Sequence, residues 1–231
     1  MFSESIVMRT ETRFSDDKLH RYLLRKEWNS EKPRAAIIMT NPSMADLVTM
    51  DFTTMYILNN LAKLDFGAVD IVNMVSSPTT KLKIGVSMHA DEENLEYITE
   101  AAKGAEKFII AWGKLGENNQ RVRDVQNVIL ERLRPFKDKL YLIGDGEGNE
   151  GFHPLAPQIR FVWVLKKFDI PEAVKPNKTD KAQKKKAQKS QKASVAPPDV
   201  SEAVSDNDFP FEDPIVYDPT RESVPLESYA Q

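Results

Sequence analysis

The stretch AAIIMTNPSMAD, residues 35–46, is an apolar run that stops on an amide, a rigid proline, a hydroxyl and a carboxylate: Asn41, Pro42, Ser43 and Asp46. Three later apolar runs stop in a comparable way. VDIVNM has Asn73 near its end, FIIAWG ends on Trp112 and Gly113, and KLYLIGD leads through the glycine-rich GDGEGNEG to His153-Pro154-Leu155. These groups supply hydrogen bonds, proton transfer near neutral pH and a stacking surface. Taken singly, each also has a plain structural reading. Asn-Pro is a common turn opener, because proline drives the preceding residue out of the helical region. Asn73 can cap a neighbouring loop, Trp112 can belong to the core, Gly113 can simply turn the chain, and His153 can be a satisfied structural histidine.

The elements that would have to position these residues follow from periodicity. RAAIIMT (34–40), VDIVNM (69–74), EKFIIAWG (106–113) and KLYLIGD (139–145) read as strands. Residues 52–65, 91–105 and 118–136 carry apolar residues at helical spacing; Gly67 follows the first, acids open the second, and Pro135 lies at the end of the third. Segments 6–14 and 18–28 suggest an N-terminal hairpin, and 161–168 closes the region as helix or strand. Strands alternating with helices predict an α/β fold, a three-layer α/β/α arrangement around a central, mainly parallel four-stranded sheet. Ligands of such sheets bind outside the carboxyl ends of the strands. That topology would bring Asn41, Asn73, Trp112-Gly113 and His153 to one edge, which makes a pocket a better account than four coincidences.

Composition narrows the field. The 231 residues carry a net charge of −3 and no cysteine, which removes disulfides and thiolate metal sites. Three scattered histidines (His20, His89, His153) do not suggest a metal cluster. The N-terminus lacks the apolar region of a signal peptide, and no apolar stretch approaches the roughly 20 residues of a membrane helix. A soluble, cytoplasmic protein with no membrane partner is expected. GDGEGNEG lacks the Lys-Ser/Thr pair of a phosphate loop, and as a calcium loop it fails because Ala156 stands at the twelfth position. No GxGxxG or GxSxG motif occurs, so neither a dinucleotide cofactor nor serine hydrolysis has support. No cofactor is expected.

Composition also divides the chain. Residues 1–172 form the apolar-rich α/β region. Residues 173–198 hold eight lysines and read as a disordered linker; residues 199–231 hold nine acids and one arginine and read as a disordered acidic tail. The lysines can contact phosphates without reading sequence. The acidic-aromatic island from Asp206 to Asp213 resembles the acidic tip of bacterial single-strand-binding proteins and could dock on a protein partner, although here it lies well before the end of the chain.

The ordered motifs RYLLRKEW, IIMTNPSMAD, VNM, IIAWGKLG and HPL, from about Tyr22 to Leu155, resemble an uncharacterised family known as domain of unknown function 1643, found in bacteria and phages. Met44 stands where that family has Thr, and MDFTT (50–54) keeps Asp51 and Thr53 but lacks the family's proline. More distantly, the order of Asn-Pro loop, strand-end Asn, Trp-Gly and His-Pro-Leu is similar to the uracil-DNA glycosylase superfamily. That resemblance implies a four-stranded parallel sheet. It also implies catalytic roles for Asn41 in positioning water and for His153 in hydrogen-bonding a departing base, with Asn73 reading the base. Asp46 would be a stronger base than Asn41 if its loop folds back. Pro42, Ser43, Asn73, Trp112 and Gly113 would line the binding pocket. The superfamily's Gly before the Asn-Pro and its Pro-Leu-Ser run after His-Pro are not matched.

Three functions remain open at this point. The first is a glycosylase-like protein directed at DNA or a nucleotide, hydrolysing the N-glycosidic bond of a modified base. The second is a non-catalytic base- or nucleotide-binding module recruited by its acidic tail. The third is a small-molecule enzyme unrelated to nucleic acid. Outside the linker and tail, 23 Lys and Arg stand against 25 Asp and Glu, a balance that favours the second and third.

Overall fold

Strict alternation along the inner strands decides what each face buries. In β3 (Arg34–Met39), Ala35, Ile37 and Met39 face one way and Ala36 and Ile38 the other. The first set packs with Ile57, Leu58 and Leu61 of α1 (Phe52–Lys63). The second packs with Leu95, Ile98 and Ala102 of α2 (Glu92–Gly104) and with Val122, Val125, Ile129 and Leu133 of α3 (Gln120–Leu133). Helices thus cover both faces. Fully burying each of these aliphatic side chains contributes about 1.5–3 kcal/mol before ordering costs. The structure, a computed structural model, describes residues 2–43, 45, 47–77 and 91–171. The chain divides into two units, Met1–Val174 and Lys175–Gln231, and every described residue lies in the first. The expectations for the lysine linker, the acidic tail, Asp46 and His89 lie outside the described residues.

The remaining strands are β1 (Arg9–Phe14), β2 (Arg21–Glu27), β4 (Ala68–Asn73), β5 (Lys107–Ile110), β6 (Leu140–Gly144) and β7 (Val164–Lys167). They form one seven-stranded sheet in the order β1-β2-β4-β3-β5-β6-β7. The four-stranded, mainly parallel sheet expected from sequence is corrected to a mixed one. The β4–β3, β3–β5 and β5–β6 pairings are parallel, while β1–β2, β2–β4 and β6–β7 are antiparallel. The N-terminal hairpin joins the same sheet because Leu24 pairs with Ile71 and Glu27 with Ala68. At the other side, the 161–168 segment resolves as a short strand that covers β6. The two outermost strands, RTETRF and VLKK, carry the charges that discourage further pairing.

Helix ends follow local chemistry. Asp51, Asp91 and Asn119 cap α1, α2 and α3 by accepting backbone N–H bonds. The left-handed residue after α1 is Asp65 (φ 66°), not the glycine expected to stop the helix. Gly67 has a different duty. A Cβ there would sit 1.9 Å from the Asn29 carbonyl oxygen. The Gly67 carbonyl in turn accepts the N–H groups of Trp28 and Asn29 at 2.8 and 3.0 Å. No helix among the described residues is long and apolar enough to cross a membrane.

Candidate functional site

The carboxyl ends of the inner strands are stitched together laterally. The N–H of Met74 donates to Met39 at 2.8 Å, that of Val75 to Thr40 at 3.1 Å and that of Ala111 to Ile38 at 2.9 Å. The Thr40 hydroxyl donates to the Trp112 carbonyl at 3.3 Å. Because β2 runs antiparallel to β4, its amino end also reaches this edge, where the Arg21 N–H donates to Ser76 at 2.8 Å.

The β3–α1 loop begins with half-buried Asn41, buried Pro42 and half-buried Ser43. Ser43 Oγ accepts the Ala45 N–H at 3.3 Å, and Ala45 packs in the same core as Ile57, Leu58 and Leu61 of α1. Two buried cations of β2 hold the loop there. Arg21, 3 % exposed, donates through Nη1 to the Ala45 carbonyl, and Lys26, 1 % exposed, donates through Nζ to the Leu47 carbonyl at 3.5 Å and to Thr10 Oγ1 at 3.3 Å. Neither cation was chosen from sequence. A bulge hides them: Arg13 pairs with Leu23 but Phe14 pairs with Arg21, so β2 has one residue to spare at Tyr22. Simple alternation would send Arg21 and Lys26 to opposite faces, whereas both reach the same loop.

Asn73 lies opposite Met39 in the parallel ladder and is 1 % exposed. Its Oδ1 and Nδ2 are both buried and have no hydrogen-bond partner among the described residues. Most buried polar atoms in native proteins are paired, so an amide with neither end paired requires an explanation. The backbone around it is held firmly. Asn94 of α2, also buried, donates from Nδ2 to the carbonyls of Asn73 at 3.0 Å and Met74 at 3.4 Å.

His153 is half-buried beside Gly113. A Cβ on Gly113 would make only ordinary contact with His153 at 3.5 Å, so the positive φ of 68° is what requires glycine there. His153 Nδ1 accepts the Leu155 N–H at 3.3 Å. The proton of the neutral ring therefore sits on Nε2, which is a donor. Burial pushes the His153 pKa below its usual value, opposed by the negative charge of Asp51. Asp51 is itself committed to α1, where its Oδ1 accepts the Thr54 N–H at 2.7 Å.

Trp112 does not join this group. It packs with the α2–α3 core and borders a cavity of about 320 Å³ with Gly113, Gly116, Arg123 and Gln126. The edge thus brings Gly113 against His153, the Asp51 charge within range of that ring, and Thr40 against the Trp112 backbone. A second polar group involves Ser76, three residues beyond Asn73, and the α2 cap Asp91. His20 Nδ1 and Ser76 Oγ are 2.8 Å apart, and Ser76 Oγ donates to Asp91 at 3.4 Å. The serine stands between histidine and carboxylate, the wrong order for a nucleophilic triad, in which the base is the middle member. Tyr22 stacks on Tyr97 at 5.1 Å and donates to Glu93 at 2.9 Å; burial and that bond raise its pKa, keeping the phenol protonated. No cluster of three or more His, Cys, Asp or Glu among the described residues could hold a metal ion.

No curated protein and no solved structure matches this chain. A family model does, over residues 21–155, more than half of the sequence and the span that carries every site residue above except Thr10 and His20. The chain therefore belongs to DUF1643, a family described as protein of unknown function.

Proposed function

We propose that this protein recognises a nucleobase at the carboxyl edge of its sheet and hydrolyses the N-glycosidic bond of a modified base there. The observation that carries the reading is Asn73: a buried amide whose donor and acceptor are both unused, on a backbone fixed from both sides. A base edge offers the complementary pair, an acceptor beside a donor. Such a site would gain two hydrogen bonds on binding without breaking any of its own.

The reaction needs two further roles. As the glycosidic bond breaks, its electron pair goes to the base and positive charge develops on the sugar. A donor aimed at a base oxygen stabilises the departing base, and His153 Nε2–H suits that task because the ring is neutral and its other nitrogen is engaged. A water attacks the sugar carbon on the other side and gives up a proton. Asn41 would orient that water and Asp46 would accept the proton. The motif order shared with the uracil-DNA glycosylase superfamily is part of this proposal, as are nonspecific phosphate contacts by the lysine linker and recruitment of a protein partner through residues 206–213.

A second reading, a base-binding module without catalysis, is favoured by the state of Asp51. It is the one carboxylate of the described first loop, and its Oδ1 already caps α1. One assay separates the two. DNA carrying a panel of modified bases is incubated with the protein and scored for binding, abasic sites and released base. Hydrolysis that falls at least about tenfold in both Asn41→Ala and His153→Ala supports catalysis. Binding without release from any substrate leaves the binding module. No binding and no release removes both.

A further inference from the structure

Buried Asn73 at the end of β4 and buried Asn94 of α2 differ in one respect that bears on what the site can distinguish. The Asn94 amide is fixed. Two carbonyls, those of Asn73 and Met74, face its nitrogen, and reversing the amide would set oxygen against oxygen. No hydrogen bond among the described residues orients the Asn73 amide. Its Oδ1 and Nδ2 both lack partners, and a half-turn about its last side-chain torsion exchanges donor for acceptor at no cost in hydrogen bonds.

We infer that Asn73 is a two-way reader, able to present donor-then-acceptor or acceptor-then-donor, so that the site takes keto and amino pyrimidines with similar affinity. This rests on the proposal that the edge binds a base. Strong discrimination by hydrogen bonding arises when a fixed group is left unpaired by the wrong ligand. A group free to reverse is left unpaired by neither. Uracil offers an N–H donor beside a carbonyl acceptor; cytosine offers an amino donor beside a ring-nitrogen acceptor, in the opposite sense. Asn73 can meet both in its two orientations.

The test is titration of the full chain with uracil and with cytosine as free bases, by calorimetry and by NMR of the Asn73 side-chain NH₂ pair. The expected result is dissociation constants within about fivefold of each other, with the NH₂ resonances displaced by either base. Asn73→Leu should weaken both by at least about tenfold. A preference beyond about fiftyfold for one base overturns the two-way reader while leaving the base site standing. Binding of both bases with the Asn73 resonances unmoved also overturns it. Failure of every base to bind removes the base site, and this inference with it.

Discussion

Asp70 and Asn73 lie three residues apart on the same strand, and each is 1 % exposed, yet they are treated in opposite ways. Asp70 is gripped by Arg25, whose Nε and Nη2 reach its two oxygens at 2.6 and 2.8 Å. Neither polar atom of the Asn73 side chain has a hydrogen-bond partner among the described residues. A buried carboxylate without its cation would be untenable, so Asp70 belongs to the architecture of the sheet. A buried amide without partners is a standing cost of a kcal/mol or more, tolerable where a ligand will remove it. Asn94 lies between these extremes, with its nitrogen paired and its Oδ1 not.

Stability measurements can break this ordering. The largest loss is expected for Asp70→Ala, which takes both short bonds from Arg25 and leaves it Glu11 at 3.8 Å; about 3 kcal/mol in denaturant unfolding, at the low end for a buried pair because Arg25 is 28 % exposed. Base affinity per folded molecule should not change. Asn94→Leu should cost about 1–2 kcal/mol, since two carbonyls lose their donor, and should weaken base binding through the loosened Asn73 backbone. Asn73→Leu should leave stability within about 1 kcal/mol of the parent, or raise it, while base binding is lost. If Asn73→Leu destabilises as much as Asp70→Ala, the amide is structural and the comparison collapses.

The smallest effect concerns His153, whose folded pKa is depressed by burial. Above the ordinary histidine pKa the ring is neutral folded or unfolded, and its protonation takes nothing from stability. As pH falls below about 6.5, the unfolded chain takes up the proton first, so stability drops until the folded pKa is passed. His153→Gln should therefore lose less stability than the parent between pH 7 and pH 5. Parallel pH profiles for the two proteins would remove the buried-imidazole reading.

Much of this was legible in the sequence, for physical reasons that also mark where legibility stops. The inner strands and three helices follow from periods of two and 3.6, which local burial enforces. Asn73 could be picked because a polar residue at the end of an apolar run is visible without a partner, and His153 because it follows the glycine-rich exit from another run. Arg21, Lys26 and Asn94 could not, since each acts on a segment distant in sequence. The hairpin's membership of the sheet depends on pairing between β2 and β4, which no local pattern encodes, and the surplus residue at Tyr22 defeats any assignment of faces by counting. Asp51 did leave a signal, an acid directly before a helical run, but its field at His153 did not.

The contact at Gly67 has a consequence for which positions can vary. With the Asn29 oxygen 1.9 Å from where a side chain would begin, position 67 admits no substituent unless the backbone yields. Three backbone hydrogen bonds join this turn to its neighbours, two from Trp28 and Asn29 to Gly67 and one from Gly67 to Pro33 at 2.9 Å. The amino edge of the sheet is thus closed to variation at the point where β2, β3 and β4 converge. The described residues that follow β3 and β5 make none of these bonds, so substitutions there leave intact the turn that registers the strands.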